Sequence, residues 1–214
     1  MYKFNYTKMN RVLDDIKLRL STPQSISDAV IIIGGAMVFF EESLDKATNL
    51  DNKLKIDYVN YFYRELFNIV TNLNVFDLNE AIGNLIIKNI DKRNKLKKTN
   101  PYYMLTMDIY MITALIYLQN NNVDKAKEYF IKAITFGEKY INESKKDYHN
   151  VLCCGTNWLG YIYKQENKLK DALEYYEETY KLYESVKDEK GFYFKEYDPE
   201  DVILTINKLK EDIK

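Results

Sequence analysis

Breaker residues are scarce. The chain has 214 residues but only 7 glycines and 3 prolines. Sandwiches and barrels need frequent glycine and proline turns, so this scarcity selects long helices joined by short connections and predicts an all-α fold. The three prolines punctuate the chain. Ser21-Thr22-Pro23 ends a first helix, Thr99-Asn100-Pro101 interrupts the middle, and Pro199 follows Asp198 as the first residue of a last helix.

Between these marks the apolar residues recur with helical period. Met9, Leu13, Ile16 and Leu20 share one face of a helix over residues 6–20. Ser25 or Ser27 then caps a second helix running to about Asn49, with Asp28 in its first turn. Asp51 opens a third helix, striped by Ile56, Val59, Tyr63, Leu66, Phe67 and Val70, and a fourth starts near Asp77 with Leu78, Ala81, Ile82, Leu85, Ile86 and Ile90. The second helix holds the most apolar run, Ala29 to Phe40, which falls short of the roughly 20 residues a membrane span needs. It reads as a buried helix whose Gly34-Gly35 pair lets a neighbour approach; a lipid-facing helix is the alternative. The fourth helix ends in Lys88, Lys92, Arg93, Lys95, Lys97 and Lys98, read as a solvated basic terminus. Pro101 then marks the boundary between an N-terminal section, 1–100, and a second section, 101–214.

Composition narrows the chemistry. Thirty-one basic and 32 acidic residues leave a formal net charge of -1, without the basic excess that neutralises phosphates, which disfavours nucleic acid as a partner. The stretch Met1 to Asn10 lacks the apolar segment of a secretory leader, and Cys153 and Cys154 are adjacent, which disfavours a disulfide between them; a reduced, cytoplasmic setting is expected. His149, the single histidine, stands four residues before Cys153, but a structural zinc needs about four ligands and a cysteine nucleophile needs an oriented base, so no metal, cofactor or catalytic residue is assigned. Glu41-Glu42 and Glu177-Glu178 read as solvated carboxylates, and Gly34-Gly35 lacks the flanking residues of a phosphate-binding loop.

After Pro101 the sequence repeats itself. Ala114, Tyr117, Ala126 and Phe130 correspond to Gly160, Tyr163, Ala172 and Tyr176 at a constant offset of 46 residues, and Ala133 corresponds to Thr179. Small residues at 114/160 and 126/172 allow two helices to cross closely, while the aromatics fill the space around the crossing. This pattern, spanning residues 102–183, resembles the tetratricopeptide repeat, whose usual period is about 34 residues. The longer offset is expected to reflect longer helices around a linker from Gly137 to Tyr148. The resemblance implies antiparallel helix pairs stacked as an α-solenoid, a right-handed superhelix of about nine helices, closed by an amphipathic capping helix bearing Val202, Ile203, Ile206 and Leu209. Residues 1–100 are either degenerate repeats or a separate bundle.

The resemblance also implies a function. Such repeats hold proteins or peptides on the face lined by the first helix of each pair. Carried onto this chain, that face comprises Asp108, Met111, Leu115 and Gln119 from the first copy and Asn157, Tyr161, Lys164 and Gln165 from the second. Met111 and Leu115 stand where a carboxylate-clamping relative has lysine and asparagine, which points to a mixed apolar and polar groove. The expected protein is a non-enzymatic interaction module with a protein or peptide partner. The alternative is a structural subunit of a helical homo-oligomer, and behind it an enzyme with an unrecognised carboxylate site.

Overall fold

The computed structural model describes residues 3–22, 25–73, 75–94, 101–140, 145–187 and 198–213. These residues form nine helices and no strand: α1 (Tyr6–Leu20), α2 (Ile26–Asp45), α3 (Asn52–Thr71), α4 (Phe76–Asn94), α5 (Tyr103–Gln119), α6 (Val123–Tyr140), α7 (Lys145–Gln165), α8 (Leu169–Val186) and α9 (Pro199–Asp212). They divide into two compact units, Met1–Leu105 and Thr106–Lys214, with the division near the start of α5.

Side-chain caps set the helix starts in the first unit. The Asn5 side chain accepts from the Lys8 amide at 3.0 Å, Ser25 Oγ from Asp28 at 3.1 Å and Asp51 Oδ1 from Leu54 at 2.8 Å. Each satisfies an amide that the helix cannot. α1 packs on α2 and α3, α2 packs on α4, and α3 packs on α4, so two helix pairs lie side by side. The α1 stripe of Met9, Leu13, Ile16 and Leu20 is buried, and each such side chain contributes about 1.5–3 kcal/mol of transfer free energy. Phe40 and Phe62 stack at 3.8 Å in the centre, with Phe4 edge-on to Phe40. Asn49 fastens the N-terminal segment by accepting from the Phe4 amide and donating to its carbonyl, both at 2.9 Å.

Two charged groups behave differently from their solvated reading. Arg93, at the end of α4, turns back onto α2 and lies 3.4 Å from Glu41 and 3.3 Å from Asp45. Glu41 also accepts a hydrogen bond from the buried Tyr63 hydroxyl. Burial, and then the Glu41 charge, push the Tyr63 phenol far above its ordinary range, so it remains a neutral donor. Burial alone would lower the Arg93 pKa, but Glu41 and Asp45 outweigh it and raise it. Arg93 and Glu41 therefore form a polar seam joining α2, α3 and α4. Lys95, Lys97 and Lys98 lie outside the described residues.

In the second unit the repeat is visible in the backbone. Asn121 and Asn167, 46 residues apart, both adopt φ of 58°. The Asn122 amide donates to the Tyr117 carbonyl and the Lys168 amide to the Tyr163 carbonyl, each at 2.9 Å, with the Asn121 and Asn167 amides donating to Leu118 and Lys164. This is the Schellman ending, in which asparagine substitutes for glycine in the left-handed position. The small residues sit at the crossings. Ala114, Ala126, Ala133 and Ala172 are fully buried. A Cβ placed on Gly160 would lie 3.0 Å from the Tyr176 ring. Thr179, in the last small position, is buried and donates to Thr156 Oγ1 at 2.7 Å across α7 and α8. The extra length is helical: α6 continues through Gly137 to Tyr140 and α7 begins at Lys145, so Gly137 lies inside a helix and not in a linker. A Cβ there would come within 2.8 Å of Leu152 and 2.9 Å of Met107, which makes it a contact point of α5, α6 and α7. α9, capped by Asp198, closes the unit by burying Val202, Ile206 and Leu209 against Ala172 and Tyr176 of α8.

Gly34 and Gly35 do not serve the role expected of them. A Cβ on either would meet nothing within 4 Å. Gly34→Ala is therefore expected to stabilise the chain by about 1 kcal/mol through helix propensity. Gly160→Ala is expected to destabilise it by about 1–3 kcal/mol, because the ring of Tyr176 fills the space. Urea titration of both variants checks the contrast, and equal stabilisation would show that Gly160 is no packing contact. At the turn, Asn167→Val is expected to cost about 1–2 kcal/mol and Asn167→Gly to cost nothing, since only a residue tolerant of the left-handed conformation fits; paired melting curves decide this.

Candidate protein-binding surfaces

The predicted first-helix face lies on α5 and α7 of the second unit. Gln119, Tyr161 and Gln165 are exposed, and Asp108, Leu115, Asn157 and Lys164 are half-buried. Met111 is an exception. It is 7% exposed, and its Cε lies 3.2 Å from where a Cβ on Gly155 would stand. Met111 therefore belongs to the α5–α7 packing and not to an apolar groove wall, because the absence of a side chain at Gly155 draws it inward. The same contact sets α5 beside α7 at this level. Tyr161 is 44% exposed yet well supported. It meets Trp158 edge-on at 5.7 Å, and Trp158 stacks over the buried Phe130 at 6.4 Å. A surface tyrosine held this way offers a large apolar ring at small entropic cost.

Beside this face a charged cluster ties the repeats together. Lys127 of α6 reaches Glu166 in the turn after α7 at 2.5 Å, and Lys168 reaches the other Glu166 oxygen at 2.8 Å. Both ammonium groups lie over the Tyr163 ring, at 5.7 and 5.5 Å from its centroid. Hydrogen bonds from Lys127, then Lys168, hold the Glu166 carboxyl below its ordinary value of 4.5, and the bond to Glu166 raises the Lys127 ammonium.

The first unit carries a second surface that the sequence reading missed. α2 turns Ala29, Ile33, Met37, Phe40 and Leu44 inward, but Ile31 is 69% exposed, Val38 60% and Phe39 57%. The helix expected to be buried thus has an exposed apolar side. With α1 it forms an open groove of about 810 Å³ floored by Val12, Ile31, Ile32, Ala36 and Phe39 and edged by Lys8, Arg11 and the Arg19–Asp15 ion pair, which measures 2.8 Å. The groove positions 31, 35 and 39 are about 180–200° around the helix from 29, 33 and 37, so this side faces away from α4. An unbroken apolar run contains no period to reveal that half of it is outside.

Among the described residues no three His, Cys, Asp or Glu side chains are placed to hold a metal ion. Cys153 and Cys154 are buried free thiols, and the His149 side chain lies outside the described residues. A cleft of about 270 Å³ between α1 and α3 does contain two carboxylates, Asp14 and Glu65, beside Lys17, but Asp14 is exposed and Glu65 only half-buried. No helix among the described residues is long and apolar enough to cross a membrane.

Stacked helix pairs with small residues at their crossings define a helical-repeat protein. The tetratricopeptide repeat family model matches residues 108–136 and 157–185, so the helix pairs of this region are tetratricopeptide-like. The chain is similar to the crystal structure of BtubC (BKLC) from P. vanneervenii, with 16% identity over 97% of this chain and 82% of that one and a TM-score of 0.51; at that identity the likeness shows the fold alone. No curated protein matches its sequence.

The charged cluster has a pH signature. Because the folded Glu166 carboxyl is depressed, its bridges contribute fully above the ordinary carboxylate value and are lost as pH falls through the depressed one. Glu166→Gln is expected to lower stability by about 0.5–1 kcal/mol near neutrality, discounted for solvent screening. The difference from the parent should vanish in acid, and melting curves from neutral pH down to about 3 check it.

Proposed function

We propose that the chain is a non-enzymatic protein- or peptide-binding module that uses the first-helix face of its repeats, acting in the cytoplasm. The observation that carries the reading is Tyr161, a half-exposed ring backed by Trp158 and Phe130 and flanked on α7 by Asn157, Lys164 and Gln165. Rigid aromatic rings at the centre of a polar surround are where binding energy concentrates. Leu115 and Gln119 extend the surface onto α5, and the absence of lysine and asparagine at the clamp positions favours recognition of side chains over a terminal carboxylate. Tetratricopeptide repeats generally mediate protein–protein interaction.

A photocrosslinking residue at position 161 should capture a discrete partner in host cells, whereas one at Lys181, on the outside of α8, should not. With the captured partner in hand, Tyr161→Ala is expected to weaken binding about tenfold or more without lowering the melting temperature. Equal capture from both positions, or unchanged affinity, would remove this face from the function. A second reading, the homo-oligomeric subunit, is favoured by the exposed apolar side of α2.

A further inference from the structure

We infer that the α1–α2 groove is the acceptor for the C-terminal helix α9 of a second copy of this chain, giving head-to-tail association. This inference stands apart from the Tyr161 face and develops the homo-oligomer alternative. It starts from Gly34 and Gly35. Two glycines in the middle of a helix cost roughly 1 kcal/mol each relative to alanine. Among the described residues nothing explains them, since added Cβ atoms would meet open space. Gly35 lines the groove together with Ile31, Ile32, Ala36 and Phe39. A helix without side chains at that point offers a hollow into which a projecting side chain from outside can settle.

α9 presents such a side chain. It buries Val202, Ile206 and Leu209, and on the opposite side Leu204 is 66% exposed. A capping helix is expected to be polar on its outer side, so this leucine is anomalous. Around it stand Glu200 and Asp201 toward one end and Glu211 and Asp212 toward the other, with Lys208 the cation on that stripe. The groove has the inverse arrangement: apolar in the middle, with Lys8 and Arg11 toward one end and Arg19, paired to Asp15, toward the other. Lys8 to Arg19 and Glu200 to Glu211 are equal separations along a helix, each about 16 Å.

The charge of the whole chain is divided in the same sense. Residues 1–105 hold 15 basic and 12 acidic residues, and residues 106–214 hold 16 basic and 20 acidic. Two grooves meeting face to face would juxtapose like charges, whereas a groove meeting α9 pairs opposite ones. Such a contact is heterologous: every copy keeps one free groove and one free α9, so association need not stop at a dimer.

Sedimentation velocity on the full chain, at concentrations up to about 300 µM and at low and high salt, tests this. The expected result is a mass rising above the 25.5 kDa monomer with concentration and falling back toward it in high salt. Gly35→Leu fills the hollow and should abolish association while leaving the melting temperature equal or higher, which separates the effect from misfolding. Leu204→Asp should abolish it from the other side. Each variant alone should be monomeric, but their mixture should form a one-to-one complex of twice the monomer mass, because one keeps a working α9 and the other a working groove. A parent chain that stays monomeric at every concentration overturns the proposal. So does a Leu204→Asp variant that still self-associates, or a mixture of the two variants that does not combine.

Discussion

The contact of a ring with a bare backbone holds the second unit together. Tyr176 lies against Gly160 so closely that even a methyl group would intrude, and the same ring belongs to the cluster that receives Val202, Ile206 and Leu209 of α9. One aromatic side chain therefore fixes the distance between α7 and α8 and supplies the platform for the terminal helix. Its phenol, buried in that position, is pushed up to about 12 and stays neutral throughout the physiological range. Gly137 and Gly155 repeat the device one layer earlier, admitting Met107 and Met111 of α5. Close packing at a few small residues sets the spacing, and the proposed binding face is what remains outside it.

The first unit solves the same problem differently. It relies on a stacked Phe40–Phe62 pair and on a partly buried polar seam of Tyr63, Glu41, Arg93 and Asp45. Breaking one member of such a seam leaves the others poorly solvated, so its value lies more in fixing how the helices align than in net stability. On α2 it leaves the apolar side chains of Ile31, Val38 and Phe39 exposed.

Helices with regular stripes were legible from sequence because burial on one side leaves a period of three to four residues. α1 begins and ends where its stripe and Ser21-Thr22-Pro23 place it, and Asp51, Ser25 and Asp198 act as the caps that their side chains suggest. The 46-residue offset was equally legible, since Asn121 and Asn167 occupy equivalent backbone positions. Where the pattern was uniform, as from Ala29 to Phe40, nothing in the order of residues separated the inner side from the outer. Glycine was ambiguous for a related reason: the same residue marks a tight contact at Gly160 and an open hollow at Gly35, and only the neighbours distinguish them.

The sequence by itself determined the class: long helices from the lack of breakers, paired helices from the repeated small and aromatic positions, and their ends from capping side chains. These are local properties, decided within a few turns of one chain. The tertiary structure decided which apolar residues are withdrawn from water. It drew Met111 into the packing, placed Arg93 and Glu41 in a shared seam, supported Tyr161 from behind, and left Ile31, Val38, Phe39 and Leu204 outside. Burial depends on residues distant in sequence, so no local reading could have assigned it.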